Sequence, residues 1–118
     1  MTMSPEFRDH LLDLLASLGP VAPRRMFGGS GLFLDGTMFG LIFNDVLYLK
    51  ADAVNQPDFV DLGMDPFVYE RKGKPIALSY WQAPSEILDD GESLSEWAGK
   101  AWEAARRTPK KPARRRKQ

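Results

Sequence analysis

Hydrophobic residues first recur at helical spacing, where Phe7, Leu11, Leu14, Leu15 and Leu18 mark one face of a segment opening at Ser4-Pro5-Glu6. Ser4 is placed to cap this helix, Pro5 fits its first position, and Glu6 lies near the positive end of its dipole. Gly19-Pro20 closes it, and Pro20 and Pro23 stiffen a connector that leads into the sheet. Between Met26 and Lys50 the pattern is that of strands. Asp35-Gly36 joins Gly31-Leu32-Phe33-Leu34 to Thr37-Met38-Phe39, and Asn44-Asp45 is placed to form the next two-residue turn. With both turns made, one face carries Phe33, Met38, Ile42, Leu47 and Leu49. The other carries Leu32, Leu34, Phe39, Leu41, Phe43, Val46 and Tyr48. A sheet wetted on one side alternates apolar with polar residues, and this one does not, so both faces call for cover. Helices on opposite faces, or a second copy seated on the Leu32/Leu34/Phe39/Leu41 face as a homodimer, would supply it.

Asn55-Gln56-Pro57 is set to cap a short helix bearing Phe59, Val60 and Leu62, which Gly63 and Pro66 stop. Phe67-Val68-Tyr69 and residues 76–81 read as two further strands around Arg71-Lys72-Gly73-Lys74, with Gly73 at the positive-φ position. Ala83-Pro84-Ser85 begins a short turn containing Ile87 and Leu88. Ser93-Leu94-Ser95-Glu96 then fits a capping box, followed by an apolar stripe of Leu94, Trp97, Ala98, Ala101, Trp102 and Ala105. Thr108-Pro109 stops this helix. The expected fold class is α+β, an antiparallel sheet with N-terminal and C-terminal helices packed on it. The expected division is one domain over residues 1–107 and a basic tail over 108–118, which has no large apolar residue and is expected to be disordered alone.

Composition removes several kinds of chemistry. The 118 residues allow one domain. Cysteine is absent, which excludes disulfides, thiolate metal sites and thiol nucleophiles. The lone histidine, His10, leaves no Ser-His-Asp relay and reads as a solvated helix-surface residue. No apolar run approaches the ~20 residues of a membrane span and no secretion signal opens the chain, so a cytoplasmic protein without membrane contact is expected. A net charge of zero conceals a division: residues 1–105 carry −8, residues 106–118 carry +8. A block of this kind is a solvated extension or an interaction arm, so Arg106, Arg107, Lys110, Lys111, Arg114, Arg115, Arg116 and Lys117 are candidates for weak, sequence-independent contact with DNA or RNA.

Three other groups carry potential chemistry. Arg24 and Arg25 precede Gly28, Gly29, Ser30 and Gly31; glycine amides can form an anion-binding nest and the arginines can supply paired donors to an anion or a partner. The competing reading is a bulge or close backbone approach at a strand start. Asp89, Asp90 and Glu92 cluster just before a helix, where the dipole favours carboxylates over metal or acid–base work. Tyr48, Tyr69, Tyr80 and Trp81 are either a base-stacking platform or ordinary sheet packing. Gly73-Lys74 lacks the upstream glycine of a P-loop, and Leu32 and Leu34 stand where a serine elbow and a dinucleotide fingerprint need glycine. No cofactor or metal is implied.

The ordered string Arg24-Arg25-Met26-Phe27-Gly28-Gly29-Ser30-Gly31-Leu32-Phe33, Asp45-Val46-Leu47-Tyr48-Leu49-Lys50 and Gly63-Met64-Asp65-Pro66-Phe67-Val68-Tyr69 resembles the N-terminal domain of the TfoX/Sxy proteins. Tyr80-Trp81, the turn over residues 84–88 and the Leu94/Trp97/Ala98/Ala101 helix extend the likeness, from about Phe7 to Arg107. The resemblance implies a small α+β domain without established catalytic residues. It also implies a non-enzymatic regulator of competence for DNA uptake in bacteria, working through a protein partner such as a transcription factor. Founding members of the family act beside the cyclic-AMP receptor protein and carry a second, helical domain.

Overall fold

A computed structural model of the chain describes residues 5–26 and 29–107; Ser4, Gly28 and the basic run after Arg107 lie outside the described residues. Helix α1 (Pro5–Leu14) runs into a 3-10 turn (Leu15–Ser17). Strands β1 (Ala22–Met26), β2 (Gly29–Leu34), β3 (Thr37–Phe43) and β4 (Val46–Lys50) follow as a meander. Helix α2 (Gln56–Asp61), strands β5 (Pro66–Arg71) and β6 (Lys74–Gln82), a 3-10 turn (Ser85–Ile87) and helix α3 (Gly91–Arg107) complete the order. The six strands form one antiparallel sheet in the order β1-β2-β3-β4-β6-β5. Its tight hairpins are set by residues that accept positive φ: Asp35 (53°) with Gly36 (79°), Asn44 (52°) with Asp45 (59°), and Lys72 (52°) with Gly73 (78°). Pairs of this kind match the twist of the flanking strands.

The stretch expected as a connector is strand β1. It pairs with β2 from Ala22 opposite Phe33 to Met26 opposite Gly29. As an edge strand it tolerates Pro23, whose missing N–H removes nothing from an inner ladder.

A bulge corrects the expected division of the sheet faces. Leu32 lies opposite Gly40 but Phe33 lies opposite Met38, which leaves Phe39 as the extra residue on β3. The one-residue shift brings Phe39 to the same side as Ile42 despite their odd spacing. Leu32, Leu34, Phe39, Ile42, Leu47 and Leu49 therefore belong to a single core, closed by Leu11, Leu15, Leu94, Ala98 and Ala101 from the helices. The first and last helices pack on this same face rather than on opposite ones. Leu32, Leu34 and Phe39 are 0%, 5% and 0% exposed. Three of the four residues expected to seat a second copy are thus covered from within the chain, and the fourth, Leu41, points to the other face with no exposure.

The helix starts also differ from expectation. α3 begins at Gly91, and the Asp90 carboxylate accepts hydrogen bonds from the amides of Glu92 (3.1 Å) and Ser93 (3.3 Å). The Ser93 hydroxyl donates to Asp90 at 3.0 Å instead of capping the helix itself. These bonds, the Ser93 hydroxyl first, lower the Asp90 pKa. On the apolar stripe, Ala104 takes the buried position expected for Ala105, while Trp97 and Trp102 are half-buried. Asn55 stands before α2 without capping it. Its buried side chain bridges the loop after β4, accepting from the Asp52 amide (2.8 Å) and donating to the Lys50 carbonyl (3.0 Å).

Candidate functional site

Arg24 and Arg25 are neighbours in β1 and so project to opposite faces of the sheet. Arg24 lies opposite Gly31, and its guanidinium sits 5.3 Å from the Phe33 ring centroid on the face away from the helices. Arg25 lies opposite Ser30, on the side where α1 packs. There it lines a cleft of about 250 Å³ with Pro5, Arg8, Pro23, Arg24 and Ser30. Ser30 is 2% exposed, and its hydroxyl reaches the adjacent Gly31 carbonyl only at 3.4 Å, beyond a well-formed O–H···O bond. Arg8 uses Nε on Asp9 at 3.1 Å.

The glycines here serve the strands. A Cβ on Gly29 would stand 2.0 Å from the Ile42 carbonyl oxygen, so this position admits only glycine. A Cβ on Gly31 would press on the Phe33 ring and Met26 at 3.1–3.2 Å. Ser30 and Gly31 pair with strands on both sides, so their amides belong to the ladders. Side chains are what this corner offers an anion.

The sheet face away from the helices forms a second surface. Phe33, Met38, Phe43, Val46 and Tyr48 are half-buried there around the buried Leu41. Phe67 meets Tyr48 and Phe43 edge-on, with ring centroids at 4.8 and 5.5 Å. At one end the Tyr80 hydroxyl donates to the Met38 carbonyl at 3.2 Å, and burial pushes its pKa up to about 12. The Lys50 ammonium lies 5.5 Å from the Tyr80 ring centroid and donates to the Ser79 hydroxyl; burial lowers its pKa. Tyr48 and Tyr80 share this face, but Trp81 faces the helices and packs on Phe59, and the Tyr69 side chain lies outside the described ones. The four aromatics do not form one platform.

The remaining candidates are tied within the chain. His10 donates from Nε2 to the Leu88 carbonyl at 2.9 Å and lies 3.2 Å from Asp89, pinning α1 to the loop before α3. Arg106 stacks on Trp102 with its guanidinium 4.7 Å from the ring centroid, and Arg107 pairs with Asp52. Lys110, Lys111, Arg114, Arg115, Arg116 and Lys117 lie outside the described residues. Among the described residues no three His, Cys, Asp or Glu side chains gather as metal ligands, and no helix is long and apolar enough to cross a membrane. The sequence already grouped Ser30 with Arg25, but Arg8 had no local signal to join it to them. Arg8 lies 17 residues before Arg25, and only the docking of α1 brings it to the cleft.

Residues 13–105 match the family model of the TfoX N-terminal domain. The chain is 34% identical over 90 residues to the DNA transformation protein TfoX of Haemophilus influenzae, covering 75% of this chain and 42% of that protein. It is 27% identical over 98 residues to the DNA transformation protein TfoX1 of Aliivibrio fischeri, covering 83% of this chain and 47% of that one. The chain thus spans less than half the length of these curated relatives. The matched stretch takes in the whole sheet, α2 and nearly all of α3, and leaves Arg8 outside it. The chain belongs to the TfoX N-terminal domain family.

Proposed function

We propose that this chain is a non-enzymatic regulatory module that acts in competence for DNA transformation by holding a protein partner, a component of the transcription machinery. The observation that carries the reading is the family match over residues 13–105, with relatives named as DNA transformation proteins. Its physical support is the half-buried apolar face of Phe33, Met38, Phe43, Val46 and Tyr48, a kind of surface suited to a protein contact. In this reading the helices on the other face hold the sheet rigid and leave the aromatic face to the partner.

Affinity capture from a lysate of the bacterium that encodes the chain, with and without nuclease, tests this. A transcription-machinery protein retained after nuclease and lost with Val46→Glu supports the reading. Capture that disappears with nuclease moves the function to nucleic acid and the basic run beyond Arg107.

A further inference from the structure

We propose that the corner between α1 and the β1–β2 edge binds a phosphate group, free or as the monoester of a small molecule. Arginines from separate elements line one cleft, Arg8 from the first turns of α1 and Arg25, with its neighbour Arg24, from the edge strand. Among the described residues no carboxylate lines it. Ser30 lines the same cleft and is 2% exposed, its hydroxyl making only the stretched 3.4 Å contact to Gly31 among the described residues. A buried hydroxyl without a good partner is destabilising, and an anion oxygen in the cleft would complete it. Pro5 also lines the cleft, which brings in the start of a 10-residue helix whose dipole favours negative charge.

The donor geometry selects the ligand class. A carboxylate is planar and is satisfied by one forked arginine, whereas donors from a strand, a helix and a buried hydroxyl suit a tetrahedral oxyanion. The cleft, at about 250 Å³, exceeds a bare phosphate and leaves room for a small ester substituent. Asp9 engages only Arg8 Nε, so the terminal nitrogens of that guanidinium stay available among the described contacts. Arg25 and Ser30 lie on the helix side of the sheet, so binding here does not depend on a protein partner on the aromatic face.

The test titrates inorganic phosphate into the full chain at constant ionic strength, chloride being exchanged for phosphate, while melting temperature and backbone amide shifts are followed. A saturable rise in melting temperature is expected, with amide shifts centred on Ser30, Arg25 and Glu6. Arg25→Gln and Arg8→Gln should each raise the apparent Kd at least about tenfold, the loss of one charge-assisted contact. Ser30→Ala should weaken binding with the near-ultraviolet circular dichroism unchanged, and Arg107→Gln should bind as the wild type does. Glycerol phosphate giving the same shifts at lower concentration would identify a monoester as the ligand; equal or weaker binding would identify free phosphate. Absence of saturation, or an unchanged Kd in Arg25→Gln, overturns the proposal. So does duplex DNA displacing phosphate from the same residues, which would make the corner a nucleic-acid contact.

Discussion

The Arg107 guanidinium grips the Asp52 carboxylate with two prongs, Nε to Oδ2 at 2.7 Å and Nη2 to Oδ1 at 3.0 Å. Asp52 sits in the loop that leaves β4, where its carboxylate also accepts the Val54 amide at 3.0 Å. The fork therefore fastens the last turn of the last helix to the loop that sets up α2. The bond from Arg107, first among several donors, lowers the Asp52 pKa from 3.8 to about 2.

A carboxylate with a depressed folded-state pKa contributes stability above its unfolded pKa and loses it as pH falls through the folded one. The contribution of this pair should be full at neutral pH and should fade between about pH 4 and pH 2. Arg107→Gln should therefore melt below the wild type at pH 7, with the gap closing across that window. Thermal melts at half-unit pH steps check this; a gap that persists unchanged to pH 2 would remove Asp52 as the cause.

The two tryptophans of α3 are half-buried and differently tied. Trp97 meets Phe59 edge-on at 5.1 Å, whereas Trp102 donates from its ring nitrogen to the Leu34 carbonyl at 2.9 Å. Trp97→Ala should cost about 3 kcal/mol, the lower end of the range for removing a large aromatic from a core. Trp102→Phe keeps most of the ring and loses the hydrogen bond, for about 1 kcal/mol. Denaturant melts of both variants read these numbers directly.

Gly29 carries a stricter requirement than its neighbours. With the Ile42 carbonyl oxygen 2.0 Å from where a Cβ would stand, Gly29→Ala must push β2 and β3 apart. A loss of at least about 3 kcal/mol is expected, the severe end of overpacking. Gly31→Ala should cost about 1 kcal/mol, because the flexible Met26 side chain can yield. Equal losses at the two sites would contradict this division.

The start of α3 offers a smaller and cleaner test. Asp90→Ala removes the acceptor of two backbone amides and should cost about 1 kcal/mol. Ser93→Ala should cost less, since the Asp90 carboxylate keeps both amides. The reverse order would restore Ser93 as the cap.

Turns are legible locally in this sequence, whereas edge pairing and register are not. Asp35-Gly36, Asn44-Asp45 and Lys72-Gly73 could be read as turns because residues tolerant of positive φ announce themselves locally. Strand β1 could not, because an edge strand with Pro23, Arg24 and Arg25 buries too little to show a hydrophobic period. The bulge at Phe39 left no mark either. Alternation alone put Phe39 opposite Ile42, and only the observed register restores them to one core. Asp90 won the cap from Ser93 because the helix starts earlier than its first apolar residue implied. In the candidate site, period-2 geometry was enough to separate Arg24 from Arg25 once β1 was known. The approach of Arg8 is tertiary and has no local signature.

The proposed role, a competence regulator whose aromatic sheet face holds a protein partner, is open to a direct test. Transformation frequency with a marked DNA fragment, in the organism that encodes the chain and after deletion of its gene, is the measurement. The account predicts a fall in frequency that is restored by the wild-type gene but not by Val46→Glu, with the variant folded and present at wild-type level. Transformation that is unaffected by the deletion, or fully restored by Val46→Glu, would contradict it.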